Sequence, residues 1–505
     1  MTVALNPGIA LEDLVFTNAF AGLGERFYET RTPSGLEGAR LVAVSPDAAA
    51  AIDLRESELT RDEFIRIASG TAILRGMQPF AALYGGHQFG VWAGQLGDGR
   101  AIALGEITNK RGEPWEIQLK GAGQTAYSRF ADGRAVLRST IREFLASEAM
   151  DALGIPTTRA LAMVTSGEPV VRESIETAAI VVRLAQSFVR FGSFEIFAAR
   201  GETDAIRMLA DYVIQRFYPA SGTDDNDRYV RFFEAVVKRT ARLMAAWQSV
   251  GFMHGVMNTD NFSILGLTLD YGPYGFMEGY EPGHICNHTD HGGRYAFDQQ
   301  PGIGLWNCYA LANALASIVE PAQLEIALKT YAPELREAFL DTTRKKLGLA
   351  NAESEDDQLG QDLRTAMAAA KSDFTRTYRM LAGIRTPAES AAHPELAQAH
   401  RAALLLGLGG TPAAAEWLGR YERRLAHEAR PLSDRVAAMN AVNPRIVLRN
   451  HLAQEAIAAS EAGDDEPVRR LLSAVRRPYS DDPEVAAYDR PAPADRPPIV
   501  VSCSS

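Results

Sequence analysis

The chain has 505 residues, of which 46% are hydrophobic and 23% charged. These are ordinary proportions for a soluble globular protein with two or three cores, so disorder is not expected. No run approaches the roughly 18 to 20 apolar residues that span a bilayer. The formal net charge of −11 argues against a nucleic-acid partner, because phosphate backbones are bound by clustered Lys and Arg.

The N-terminus lacks both a basic stretch before an apolar core and an Arg-rich amphipathic pattern, so no targeting segment is indicated. We therefore expect a cytoplasmic protein with neither membrane nor nucleic-acid partners. The three cysteines are too few for a disulfide framework.

Residues 1–80 are predicted to form an irregular, partly helical extension that packs on the core, with an amphipathic run at Asp62 to Leu74. Three strands are then predicted as an antiparallel meander with tight turns: Phe89 to Trp92, Ala101 to Ile107 and Trp115 to Leu119. A long helix over Ala135 to Leu153 and two more strands, Ala160 to Thr165 and Ala178 to Leu184, follow. We assign residues 81–192 to one β-rich lobe.

Residues 193–476 are predicted to form a mostly helical lobe. The expected helices are Ala205 to Phe217, Arg228 to Val250, Trp306 to Ile318, Pro321 to Leu347 and much of Asp357 to Ala462. A small hairpin around Gly266 is the one expected interruption. Residues 477–505 are rich in proline and are predicted to form an extended tail.

This order of strands, one helix, strands and a helical lobe is typical of a bilobal protein-kinase-like fold of the α+β class. Phosphoryl and nucleotidyl transfer need a phosphate-binding Lys, an acidic residue that positions it, and oxygen ligands for Mg²⁺. Lys120 ends a predicted strand and Glu143 lies in the following helix, so the two can form an ion pair. A solvated side chain is the alternative for any single Lys at a strand end.

The segment His254 to Asn261 (HGVMNTDN) has the spacing of a kinase catalytic loop. Val256 stands where kinases carry the catalytic Asp, so the ordinary base is missing. Asp270-Tyr271-Gly272 follows where kinases carry Asp-Phe-Gly, which makes Asp270 a candidate metal ligand. A turn or cap role is the alternative for an Asp or Asn in a loop, but the ordered set of motifs favours a site.

Several of these segments together closely resemble the selenoprotein O family, from about residue 10 to the C-terminus. The matching segments are Tyr84 to Gly90 (YGGHQFG), Gly97 to Arg100 (GDGR), Leu119 to Gly123 (LKGAG), Asp132 to Arg138 (DGRAVLR), His254 to Asn261 and Asp270 to Gly272. Members of that family transfer AMP from ATP to hydroxyl side chains of proteins. The resemblance implies this activity here, with ATP as substrate, Mg²⁺ or Mn²⁺ as cofactor, and UTP as an alternative donor of UMP.

The resemblance also implies roles for individual residues. The implied ATP contacts are Gly97, Gly99, Arg100, Lys120, Asp132, Gly133, Arg183, Arg190 and Asp270. Asp260 is the implied catalytic base, supported by Lys120 and Glu143, and Asn261 and Asp270 are the implied metal ligands. The arginines are taken to hold ATP reversed, with its α-phosphate toward the acceptor; surface salt bridges are their alternative.

Two other functions stay open at this point. The general layout also suits a conventional protein or small-molecule kinase, and Val256 suits a non-catalytic ATP-binding scaffold. The sequence does not show whether Asp260 acts as the catalytic base or as a metal ligand.

The histidines and cysteines after Asp270 suggest a second feature. His284, Cys286, His288, Asp290 and His291 lie close together, but their spacing matches no common zinc site. We expect this segment to shape the substrate cleft instead. A redox-dependent Cys286–Cys503 disulfide is a hypothesis, and two unrelated thiols are its alternative.

Overall fold

The computed structural model describes residues 8–222, 227–493, 495, 497 and 499–502. An antiparallel sheet dominates the first 190 residues and helices dominate the rest, which confirms the α+β class. The strands are β1 Tyr28–Thr30, β2 Arg40–Val44, β3 Phe80–Ala82, β4 Gly85–Gln88, β5 Val91–Gln95, β6 Ala101–Thr108, β7 Pro114–Lys120, β8 Ala135–Val136, β9 Arg159–Val171, β10 Ile175–Ala185, β11 Phe252–Met253 and β12 Gly275–Phe276.

The helices follow the predicted periodicity in most places. They are α1 Pro46–Ala51, α2 Asp62–Ala68, α3 Leu137–Ala152, α4 Phe191–Ala199, α5 Thr203–Phe217, α6 Arg228–Val250, α7 Gln300–Leu315, α8 Pro321–Leu328, α9 Tyr331–Lys346, α10 Asp356–Ala370, α11 Phe374–Met380, α12 Pro387–Ala392, α13 Pro394–Gly407, α14 Pro412–Leu425, α15 Leu432–Asn440, α16 Asn450–Glu461, α17 Glu466–Val475 and α18 Pro483–Ala486. No described helix is both long and apolar enough to cross a membrane.

The main sheet is buried on both faces. Its strand order is β1-β3-β6-β7-β10-β9-β2, with β8 paired to β10. Ile180 and Val182 pack with α1 and α2, whereas Ala179 and Val181 pack with α3. Because side chains alternate along a strand, Arg183 shares the α3 face with Val181. The same alternation places Lys120 of β7 on that face, opposite Leu119.

Two local strand predictions hold only in part. Phe89 and Gly90 form the turn between β4 and β5, with φ of +50° and +82°, rather than the start of a strand. The predicted hairpin around Gly266 is reduced to a single antiparallel bridge, Phe262 to Thr268. Its backbone groups bond elsewhere: the amide of Thr268 donates to the Pro156 carbonyl over 2.8 Å.

Three further elements differ from expectation. The first 80 residues contribute β1 and β2 to the main sheet and are less irregular than predicted. The predicted helix Pro321 to Leu347 is two helices, α8 and α9, because Pro333 cannot donate the backbone bond that would continue one helix. The tail carries the short α18, and Val501 forms a bridge with Asn287.

Candidate active site

Lys120 and Glu143 meet between the sheet and α3. Lys120 Nζ lies 2.7 Å from Glu143 Oε2, and both side chains are buried. Lys120 is the last residue of β7 on the α3-facing side, and Glu143 lies near the middle of α3. Burial lowers the pKa of Lys120, and the Glu143 and Asp270 carboxylates oppose this shift. The pair therefore fixes a buried cation at one wall of a cavity.

Asp270 is the centre of this cluster. Its Oδ1 lies 3.2 Å from Lys120 Nζ and 2.5 Å from Arg183 Nη1, and its Oδ2 lies 2.7 Å from Arg190 Nη1. Arg183 also contacts Glu143 over 3.0 Å. Burial alone would raise the pKa of Asp270, but the three cations outweigh it and hold that pKa well below its usual range. Asp270 is therefore ionised. Its backbone adopts a left-handed φ of +54°.

Among the groups of this cluster that are in direct contact, cations outnumber carboxylates. Lys120, Arg183 and Arg190 are three cations, whereas Glu143 and Asp270 supply two carboxylates. Arg183 and Arg190 are each only 1% exposed, so solvent screens their charge weakly. Lys120 and Arg183 lie at the wall of a cavity, where their charge favours an anionic ligand. The carboxyls of Asp98 and Asp260 also line that cavity.

Asp260 differs from Asp270 in its surroundings. Its Oδ1 is buried without a hydrogen-bond partner in the described residues, and burial raises the pKa of Asp260 to about 6, against the attraction of Arg190. The peptide oxygen of Asp260 accepts a 2.7 Å bond from Arg190 Nη1. Asp260 thus combines a fixed backbone with a carboxylate oxygen free to accept a proton.

Asn261 and Asp270 offer the oxygen ligands expected for a divalent cation. Asn261 Nδ2 donates to the Val256 carbonyl over 2.9 Å. The other amide atom of this side chain, Oδ1, is the one that can bind a cation. Amide and carboxylate oxygens suit Mg²⁺, which usually takes few protein ligands beside phosphates. The donor set therefore fits such an ion.

A cavity of about 840 Å³ brings these groups together. Among the predicted site residues, its walls include Gly97, Gly99, Arg100, Lys120, Asp132, Gly133, Arg183, Asp260, Asn261 and Asp270. Glu143 and Arg190 lie behind the wall, each in contact with a residue on it. The volume is within the range of small-molecule sites.

Two glycines in the cavity wall are required by close packing. A Cβ atom at Gly97, where φ is +148°, would lie 2.3 Å from the Tyr127 ring. A Cβ atom at Gly133, where φ is +71°, would lie 2.2 Å from the carbonyl carbon of Gly123. Both positions bring the backbone close to the cavity.

Arg100 and Asp132 lie at the more exposed part of the cavity. Arg100 is exposed. Asp132 pairs with Arg172 over 2.7 Å and accepts a bond from the Arg134 amide over 2.9 Å. The Asp132 carboxylate is therefore already occupied, unlike that of Asp260.

Sequence reasoning missed residues that position the predicted ones. Gln118 Oε1 accepts a 3.1 Å bond from Arg183 Nε, and these residues are directly opposite on β7 and β10. The Arg190 guanidinium lies 4.6 Å from the centroid of the Tyr84 ring. Gln118 precedes Lys120 by two residues, so strand alternation was a usable signal for it. For Tyr84 the only signal was its place in the segment Tyr84 to Gly90.

The segment after Asp270 holds no recognised metal cluster. Across the part of the chain that the structure describes, no group of three or more His, Cys, Asp or Glu could hold an ion. Cys286 Sγ lies 3.0 Å from the Pro273 carbonyl oxygen, and burial raises the pKa of this thiol to about 12. Cys503 lies outside the described residues, so its pairing with Cys286 stays a prediction.

Comparisons with known proteins show the family of this chain. Residues 10–476 match the family model described as protein adenylyltransferase SelO. Three proteins named protein nucleotidyltransferase YdiU are similar to the chain over 98% of its length and 99% of theirs. They come from Myxococcus xanthus (47% identical), Thioalkalivibrio sulfidiphilus (49%) and Bordetella parapertussis (48%). The chain belongs to the SelO family of protein adenylyltransferases.

Proposed function

We propose that this protein, a nucleotidyltransferase by family, transfers AMP from ATP to hydroxyl side chains of other proteins and releases pyrophosphate. The observation that carries the proposal is the convergence of three buried cations on Asp270 beside the unpaired Asp260 oxygen. Cations suit the phosphates of a nucleotide, and a free carboxylate suits an acceptor hydroxyl.

The phosphate-binding role is assigned to Lys120, Arg183 and Arg190. Asp270 pairs with all three cations when no nucleotide is bound, and phosphate oxygens would add negative charge beside them. An arginine guanidinium can donate two parallel hydrogen bonds to the oxygens of one phosphate group. Arg100, at the exposed part of the cavity, is the fourth cation of this set, and Glu143 keeps Lys120 in place.

The transfer step is assigned to Asp260. Its carboxylate accepts the proton of a Ser, Thr or Tyr hydroxyl, whose oxygen then forms a bond to the α-phosphorus of ATP. The bond from that phosphorus to the bridging oxygen breaks, and pyrophosphate leaves. A positioned base of this kind contributes about 100- to 10,000-fold in rate.

Asn261 and Asp270 are the residues that would hold Mg²⁺ or Mn²⁺. A bound divalent ion would neutralise phosphate charge that the protein cations leave uncompensated.

UTP is a second donor consistent with the same phosphate contacts. We further infer that residues 81–192 and 193–476 form two kinase-like lobes, and that the protein acts in the cytoplasm.

A phosphate-labelling experiment separates this proposal from its alternatives. The protein is incubated with Mg²⁺ and with ATP labelled at either the α- or the γ-phosphate, using the chain itself and a protein extract as acceptors. Covalent α label is expected. Covalent γ label would indicate a conventional kinase, and ATP binding with neither label would indicate a scaffold.

The pH dependence of transfer tests the role of Asp260. Because the pKa of Asp260 is about 6, the carboxylate is protonated below pH 6 and cannot accept a proton. We expect kcat/KM to fall about tenfold per pH unit below that value and to level off above it. Initial rates of α-label transfer between pH 5 and 8 measure this. A profile that stays flat through pH 6 would rule out Asp260 as the base.

A further inference from the structure

A second cavity, of about 230 Å³, lies among the helices and shares no residue with the nucleotide cavity. The ends of α6 and α9, parts of α10 and α11, and the segment after Asp270 form its walls. The residues that line it include Tyr280, Phe297, Phe339, Phe374, Tyr378, Lys346 and Arg364. Five of them are aromatic, so the cavity combines an apolar wall with two cations.

Lys346 is the first of these cations. It is the last residue of α9 and is only 4% exposed. Its Nζ lies 4.1 Å from the centroid of the Tyr378 ring and 5.9 Å from that of Phe374. The described residues place no carboxylate oxygen within 4.0 Å of it. Burial lowers the pKa of Lys346 to about 7.

Arg364 of α10 is the second cation. Its guanidinium lies 4.8 Å from the centroid of the Phe339 ring. Its Nη1 is buried and has no hydrogen-bond partner in the described part of the chain. The other titratable groups that line the cavity are Tyr280, Tyr378 and Asp298. Asp298 is exposed and accepts a bond from Gln299 Nε2 over 3.0 Å, so it does not balance the buried Lys346; Arg364 as a whole is half-buried.

We propose that this cavity binds a small carboxylate with an apolar body, whose charged end contacts Lys346 and Arg364 and whose hydrocarbon part contacts the aromatic walls. A buried cation without a partner is costly, and an anion that pairs with it removes that cost. The volume lies below the range of drug-sized ligands, which limits the ligand to about one ring or a short chain.

Benzoate is a direct probe of this site. Titration calorimetry of the full-length protein at pH 7 is expected to show saturable benzoate binding. The neutral isostere benzamide is expected to bind at least about tenfold more weakly, because it lacks the charge that pairs with the two cations. Binding should take up a proton and weaken above pH 7, where free Lys346 loses its charge. Comparing buffers with different ionisation enthalpies measures that proton.

Two variants complete the test. Lys346→Met removes the buried cation and is expected to fold at least as well as the wild type while weakening benzoate binding at least about tenfold. Lys345→Met is the matched control, since Lys345 is exposed and pairs with Asp341, and its benzoate binding should be unchanged. Equal benzoate binding by Lys346→Met, equal binding of benzamide, or no benzoate binding to the wild type would each overturn the proposal.

Discussion

Replacing Asp270 by asparagine is expected to lower the rate of AMP transfer by at least about 1000-fold. The side chain keeps its shape but loses the charge that Lys120, Arg183 and Arg190 surround. It also loses the carboxylate proposed to hold Mg²⁺. Initial rates with α-labelled ATP at saturating Mg²⁺ measure the change.

The same substitution is expected to lower stability, since it leaves buried cations unpaired; breaking a buried ion pair costs roughly 3–5 kcal/mol. Circular dichroism at room temperature therefore has to show that the variant is folded before its rate is interpreted. Asp211→Asn is a suitable control, because Asp211 lies at the surface of α5, where its carboxylate pairs with Arg228 of α6. A folded Asp270→Asn variant with normal transfer would mean that the metal and phosphate site is elsewhere.

Replacing Asp260 by asparagine is expected to change activity and stability in opposite directions. The rate of transfer should fall about 100- to 10,000-fold, because the proton acceptor is lost. The free energy of unfolding at pH 7.5 should rise by on the order of 1–3 kcal/mol. The reason is that the pKa of Asp260 is raised by burial to about 6, so ionisation of this carboxyl opposes folding.

The sign of that stability change depends on pH in a testable way. A carboxyl with a raised folded-state pKa stabilises the protein at low pH and loses that contribution as pH rises through 6. The gain from Asp260→Asn should therefore be smaller at pH 5 than at pH 7.5 in urea unfolding. Asp290 provides the contrast: its buried carboxylate accepts bonds from the Arg294 and Tyr295 amides, so Asp290→Asn should destabilise the protein. A loss of stability in Asp260→Asn at pH 7.5 would contradict this account.

The sequence predicted those parts of the fold that depend on local patterns. Short apolar or alternating runs indicated β6 and β7, and a run of β-branched and small apolar residues indicated β10. Helical periodicity indicated α6 with both ends correct. The strands β1 and β2 were missed because they are short, and their partners lie far along the chain: Tyr28 is paired with Ala82. Such long-range pairing leaves no periodic signal in a short segment.

The candidate site, like the fold, could be predicted from the sequence only in part. Motif spacing indicated Lys120, Glu143 and Asp270 as a group, and the structure places their charged atoms together. The sequence could not show that Arg183 and Arg190 both pair with Asp270 or that Asp260 keeps an unpaired oxygen. Those properties depend on burial and on contacts between distant segments.

The most direct test of the central claim is the identity of the small product formed with the protein adduct. ³¹P NMR of a reaction with ATP, Mg²⁺ and an acceptor protein can follow that product while intact-mass spectrometry follows the adduct. AMP transfer predicts one pyrophosphate for each AMP attached to protein. The Asp270→Asn variant should form neither pyrophosphate nor the AMP adduct. Formation of ADP with a phosphate adduct would contradict the account.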